Sequence, residues 1–338
     1  MEIKIIRPRV RGDRLGERKD SKRAVNGPEQ PDITIEEDKV SFPGEKEPVQ
    51  KIMSDLNDLV GLKTVKRLVY EIRAYIEIQK RRQQEKLASE PLVLHMIFKG
   101  NPGTGKTTVA RILGRLFREM NVLSKGHLVE IERADLVGEY IGHTAQKTRE
   151  QLKRSYGGIL FIDEAYSLAR GGEKDFGKEA VDTLVKAMED QKDNLILILA
   201  GYKDEMDKFI KTNPGLKSRF PIHIDFPDYS IRELLQIADL MLEKRQYKLT
   251  VTARDALKRI IELRTGKGHE HSGNARLVRN IIEKAIRRQA VRLVNRETLT
   301  IHDLMEIVKT DIEEVREYYE PGRDFNKEGI MFTTSNFK

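Results

Sequence analysis

Gly100-Asn101-Pro102-Gly103-Thr104-Gly105-Lys106-Thr107 combines the residue types that hold phosphate. Its glycines let successive backbone N–H groups turn toward phosphate oxygens, Lys106 reaches the terminal phosphates, and the Thr107 hydroxyl is a magnesium ligand. An apolar run, Leu92 to Phe98, leads into this loop, and Val109 to Leu113 continues it as a helix whose N-terminus faces the anion. An ordinary glycine turn would need neither flank. A second run, Ile159 to Ile162, ends in two adjacent carboxylates. Asp163 suits magnesium, held through water, and Glu164 suits polarisation of an attacking water. A capped strand end would explain one acid but not the pairing with a complete phosphate loop. The two elements together predict hydrolysis of a nucleoside triphosphate.

Three further stretches carry chemistry of their own. In Asn213 to Phe220, Arg219 stands just before an apolar run, where a guanidinium at a domain rim can reach a neighbouring subunit's γ-phosphate. A surface ion pair is the alternative there. Gly273-Asn274-Ala275-Arg276 opens a long helical pattern, and Arg276, or secondarily Arg279, can lean over the phosphates. Spacing alone fits an ordinary helix-surface arginine equally well. Leu136 to Thr144 places Tyr140 and Ile141 before Gly142 in a polar setting. Exposed, the two side chains would grip an extended peptide by contact area; buried, they would be core. His269-Glu270-His271 lacks further ligands for a metal, and the Asn-Lys-x-Asp element of familiar GTPases is absent.

Strands alternating with helices must position these groups. Further strands are predicted at His127 to Glu132, Gly158 to Ile162, Asn194 to Ala200 and Pro221 to Phe226, implying an α/β parallel sheet with the loop and acids at the strands' carboxyl ends. Ile52, Leu56 and Leu59, then Val65, Val69, Ile72 and Ile76, predict preceding helices. After Pro227 only helical patterns follow. Three begin with capping pairs, Ser230 with Glu233, Thr252 with Asp255 and Thr300 with Asp303, marking a separate helical domain. The organisation read from these patterns is a flexible basic leader over 1 to 48, an α/β domain over 49 to 227, a helical domain over 228 to 312 and a tail over 313 to 338.

With Cys 0, disulfides, thiolate zinc sites and cysteine nucleophiles are excluded. No apolar run is long enough to span a bilayer, and the basic amino-terminal segment lacks a secretory signal's apolar core, so a cytoplasmic protein without a membrane span is expected. Lys+Arg 62 against Asp+Glu 54 leaves +8, and much of that excess sits in Arg7 to Arg23. That arm has no aromatic residue for base stacking, which favours a solvated segment over a nucleic-acid contact.

With these residues in order, the chain resembles the AAA+ P-loop NTPases, in the branch of the stage V sporulation K proteins and the red-type (CbbX-like) rubisco activases, with the sporulation members the nearer fit. The resemblance runs roughly from Leu56 to Met305. It rests on Phe98 to Thr108, Leu136 to Thr144 and Gly157 to Ala169. It implies a parallel sheet flanked by helices and a small all-α lid, with ATP and magnesium as cofactors. Asn101 through Thr108 would hold the nucleotide, and Val60-Gly61 would pass beside adenine. It further implies a nucleotide-dependent homo-hexamer with Tyr140, Ile141 and Gly142 in a central pore loop, Arg219 as a finger acting in trans, and Arg276 as a lid sensor. The expected function is ATP-driven remodelling of an unidentified protein client. Leu199-Ala200-Gly201-Tyr202 lacks the usual polar first sensor, so the resemblance assigns Tyr202 no such role. A nucleic-acid loader using the basic arm is the competing reading.

Overall fold

The structure is a computed structural model, and it describes residues 47–88, 93–140, 142–170, 175–191, 194–265 and 273–317. The basic leader up to residue 46, Leu92, Ile141, the His269-Glu270-His271 stretch and the tail from residue 318 lie outside the described residues.

Five strands form one wholly parallel sheet: β1 (Met96–Gly100), β2 (Leu128–Ile131), β3 (Gly158–Ile162), β4 (Leu195–Gly201) and β5 (Ile222–Phe226). Their order is β2-β3-β4-β1-β5. Because β1 sits between β4 and β5 while its successor β2 lies at the far edge, the chain leaves β1 and β3 on diverging paths. The carboxyl ends of these strands therefore border an open crevice. The β3 and β4 side chains are buried along their whole length, as expected of central parallel strands covered on both faces. One face packs Phe98, Phe161 and Ile198 against the helices Glu47–Asn57, Lys63–Gln84 and Lys106–Glu119. The other packs Ile97, Leu160 and Leu197 against Gly177–Asp190 and Lys203–Thr212.

β1 begins later than the apolar run suggests, at Met96 rather than Leu92. The cause is His95, whose buried ring takes over the backbone's job: its Nδ1 accepts the Leu197 N–H at 3.1 Å. The adjacent Met96 then enters the ladder opposite Ile198.

A helical unit follows β5. The helix Ile231–Glu243 starts at Ser230 with the reciprocal bonds to Glu233 that the sequence predicts, and Thr300 with Asp303 does the same for Ile301–Met305. The third pair is corrected. The helix Val251–Thr265 is capped by Thr250, whose hydroxyl accepts the Ala253 N–H at 3.2 Å, so Thr252 lies inside the first turn. Thr250 takes that place because its own N–H bonds Ile307 O at 3.1 Å, continuing a short parallel pair of β6 (Lys248–Leu249) with β7 (Glu306–Ile307). The boundary drawn after residue 312 also moves, since the helix Lys309–Glu317 runs through it. Buried Ile312 and the Arg292–Asp311 ion pair at 3.0 Å anchor that helix to the unit. Among the described residues, no helix is long and apolar enough to cross a membrane.

Burial pushes the His95 imidazole down to about 4 from 6.5. The unfolded chain therefore binds a proton between these values that the folded chain refuses. The stabilising contribution of neutral His95 is fully present above about pH 6.5 and is lost as pH falls toward 4. Its size is on the order of 3 kcal/mol. In urea unfolding, the stability gap between the native chain and His95→Asn should be widest at pH 7 and shrink toward pH 4.5. A constant gap would mean that His95 titrates normally in the fold.

Candidate active site

The loop between β1 and the helix Lys106–Glu119 forms the floor of a cavity of about 1260 Å³. Every carbonyl from Gly100 to Gly105 is turned to a hydrogen-bond donor. Lys106 Nζ donates to Gly100 O at 2.8 Å and Asn101 O at 3.0 Å, and the Thr104 hydroxyl also donates to Asn101 O at 2.8 Å. Asn274 Nδ2 donates to Pro102 O at 3.4 Å, Ala275 N to Gly103 O at 3.2 Å, the Tyr229 hydroxyl to Thr104 O at 3.1 Å and Val109 N to Gly105 O at 3.0 Å. With its oxygens occupied, the loop presents an electropositive concavity to an anion. Gly103 has φ +76, and a Cβ there would come within 2.5 Å of Gly273 O, so only glycine permits the approach of the helical unit.

Lys106, Thr107, Thr108, Pro102, Gly103, Gly105, Asp163, Glu164, Val60 and Arg276 all line the cavity. Three other sequence candidates sit differently. The Asn101 amide is turned to both Asp228 oxygens at 3.0 Å. Thr104 is fully buried beneath the loop, and Gly61 packs against Glu233 and Tyr229. The turn carrying Val60 and Gly61 is held from below by Lys66, whose Nζ donates to Asn57 O at 2.9 Å and Leu59 O at 2.6 Å, closing the end of the helix Glu47–Asn57.

Burial lowers the Lys106 pKa and Arg276 adds to that, while Asp163, Asp228 and Glu164 oppose it. Arg111, Arg115, Lys244, Arg245 and Arg279 also line the cavity, with Arg115 paired to Asp55 and Arg245 to Glu283 on the same wall. The Thr107 hydroxyl donates to Glu130 Oε1 at 3.2 Å. Asp163 Oδ1 accepts the Glu164 N–H at 3.0 Å. Thr107 and Asp163 are hard oxygen donors on the loop side and the strand side of one cavity, and that donor set fits magnesium.

Glu164 holds a left-handed backbone, φ 46, a conformation costly for a residue with a Cβ. The short 3-10 helix Ala165–Ala169 begins at it and brings back Tyr166, whose phenol lies near enough to the Glu164 carboxylate to feel its charge. Burial, reinforced by Glu164, raises the Tyr166 phenol to about 12, so it remains a donor throughout the physiological range. Tyr166, Asp228, Tyr229 and Asn274 were not singled out from the sequence. The one available signal was position: Tyr166 two residues beyond the acids, Asp228-Tyr229 just before a capping box, Asn274 beside the chosen Arg276. Tyr202 also lines the cavity, at the end of β4.

Arg219, at the end of the helix Pro214–Arg219, does not line the cavity. It pairs with Glu189 and donates to Gly215 O at 3.0 Å. Tyr140 stands 65% exposed on a separate loop, edge-on to His143, and Gly142 beside it starts the helix His143–Ser155 with φ 82. Tyr140 is therefore not a core residue.

Residues 96–228 match the profile of the ATPase family associated with various cellular activities (AAA), and residues 230–321 match an AAA lid domain. The chain is 57% identical to stage V sporulation protein K of Bacillus subtilis (strain 168) over 265 residues, covering 78% of this chain and 82% of that protein. It is 48% identical to protein CbbX of Cereibacter sphaeroides, covering 72% and 79%. With the chloroplastic ribulose bisphosphate carboxylase/oxygenase activase of Cyanidioschyzon merolae (strain NIES-3377 / 10D) it shares 46% identity, covering 78% and 91%. Among solved structures, the FIGL-1 AAA domain in complex with ADP aligns with TM-score 0.54 at 18% identity, covering 79% of this chain and 85% of that one. A Thermotoga maritima RuvB mutant aligns at 0.51 and 18%, covering 78% and 72%. At those identities the structural likeness speaks for the fold.

The nearness of the Tyr166 phenol to Glu164 yields a direct prediction. Tyr166→Phe should lower triphosphate turnover several-fold while ADP affinity stays unchanged, because it removes the one polar group of that ring without changing its packing. Unchanged turnover at saturating nucleotide would show that the phenol does not orient Glu164.

Proposed function

This chain belongs to the AAA family of ATPases and hydrolyses ATP with magnesium, and we propose that it does so as a homo-hexameric ring that remodels a protein client in sporulation. Asn101 through Thr108 cradle the phosphates and Val60-Gly61 borders the base, and Thr107 with Asp163 would hold magnesium, which would supply positive charge to offset that of the phosphates. Glu164 accepts a hydrogen bond from the attacking water and draws its proton as the water's oxygen bonds the γ-phosphorus and the bond from that phosphorus to the bridging oxygen breaks, releasing ADP and phosphate. Lys106 and Arg276 balance negative charge on the γ-phosphoryl group. Tyr140, Ile141 and Gly142 contact the client in the central pore.

One observation carries the ring: Arg219 lines no part of its own subunit's cavity, although it lies at the β5 end of the same domain. A guanidinium displaced in this way is suited to the ATP of an adjoining subunit. The exposure of Tyr140 supports a contact outside the core. The sporulation context comes from the similarity to the Bacillus subtilis protein, and the cytoplasm is the compartment that fits it.

A complementation experiment tests the seam between subunits. Arg219→Ala should depress turnover by about 10³-fold with ATP binding retained, and Glu164→Gln should likewise bind without turnover. Mixing the two inactive proteins should restore part of the activity, because one class of interface then holds both intact groups. Failure to restore it, in mixed assemblies verified by mass, would refute action in trans. Tyr140→Ala should leave ATP turnover within about twofold while proteins trapped on Glu164→Gln are no longer retained by the doubly substituted chain. Salt-sensitive DNA binding that disappears on deletion of residues 1 to 45, with pore substitutions silent, would instead favour the nucleic-acid reading.

A further inference from the structure

Three consecutive carbonyls on the outer side of the phosphate loop are held by the chain beyond β5. Pro102 O receives the Asn274 amide, Gly103 O the Ala275 N–H and Thr104 O the Tyr229 hydroxyl. These donors are themselves joined. Asn274 Oδ1 accepts the Tyr229 N–H at 3.0 Å, and Asn274 Nδ2 donates to Asp228 Oδ1 at 2.7 Å. The same Asp228 carboxylate takes the Asn101 amide at 3.0 Å, which closes the circuit on the loop.

Asn274 is the hub. It is fully buried, and its backbone is left-handed at φ 44, a conformation that asparagine tolerates better than most residues. Held this way, it starts the helix Asn274–Leu293 against the loop and puts Arg276, two residues on, at the cavity wall. A swing of the lid would pull on the outer carbonyls of the residues whose inner face meets phosphate.

We propose that Asn274 is a positioning residue that makes the shape of the phosphate loop and the attitude of the lid a single equilibrium, so that nucleotide tightens the lid and strain on the lid expels nucleotide. The coupling is reciprocal, as linkage between two sites must be. It rests on the phosphates lying at this loop. Arg276 then acts on the nucleotide only as well as Asn274 seats it.

The full-length chain and ADP as probe suffice for the test. Asn274→Gly keeps the left-handed backbone and removes only the amide; it should weaken ADP binding about tenfold. Asn274→Asp sets a second carboxylate against Asp228 and should weaken it further. Combining Asn274→Asp with Asp228→Asn remakes the bond between the two side chains but leaves Pro102 O without its donor, so affinity should rise clearly above that of Asn274→Asp alone while staying below that of the native chain. The idea is overturned if Asn274→Gly binds ADP like the native chain, or if the exchanged pair is no better than Asn274→Asp alone. Circular dichroism checks folding, and should Asn274→Gly unfold, the exchanged pair decides. Lys106→Ala separates the two readings: if it binds ADP normally the phosphates lie elsewhere, whereas its failure beside an unresponsive Asn274 series removes the coupling alone.

Discussion

A backbone loop that is to hold phosphate must turn its amides inward, and its carbonyl oxygens then need donors elsewhere, because an unpaired buried carbonyl costs more than a hydrogen bond gains. That constraint organises this molecule. Of the carbonyls from Gly100 to Gly105, two are served by Lys106, one of these also by Thr104, and the last by Val109 of the following helix. Pro102, Gly103 and Thr104 depend on residues more than a hundred positions away. The helical unit is thus part of the phosphate site, and Gly103 leaves the space that lets it come so close.

A second constraint acts on the acids. Placing Asp163 and Glu164 together at the end of a buried strand concentrates negative charge, and the structure separates their tasks by geometry. Asp163 Oδ1 is engaged by the next backbone N–H, while Glu164 is thrown into a left-handed turn with the Tyr166 phenol nearby. A strained backbone at one residue is sustained here by the rigid β3 on one side and the 3-10 turn on the other. Lys106, whose charge burial disfavours, faces these acids across the cavity, so the charges on the two walls hold one another in check.

Two groups with the clearest chemical potential look away from this cavity. Arg219 rests in an exposed pair with Glu189, an interaction of the kind worth at most about 1 kcal/mol, so a more negative partner can draw the guanidinium off. Tyr140 is exposed, and among the described residues His143 is its aromatic neighbour. Phe98, Phe117, Phe161 and Phe220 are fully buried, whereas Tyr140 is 65% exposed, more than Tyr75 at 48%, and core packing does not explain it.

Much of the site was legible because its chemistry is local. Residue type and spacing along a few consecutive positions identified the phosphate loop, the paired acids and the capping boxes at Ser230 and Thr300, since each is built from neighbours in the chain. The cap at Thr250 was misread because a long-range strand pair sets where that helix begins, and the late start of β1 went unseen because the His95 side chain replaces a backbone partner. By itself, then, the sequence determined which groups are proposed to bind and cleave a triphosphate. Tertiary structure alone decided which groups hold the loop in place: Asn274, Asp228 and Tyr229 are unremarkable as letters. They matter because folding brings side chains from far along the sequence onto the carbonyl oxygens and the amide of one loop, and no short-range pattern records that meeting.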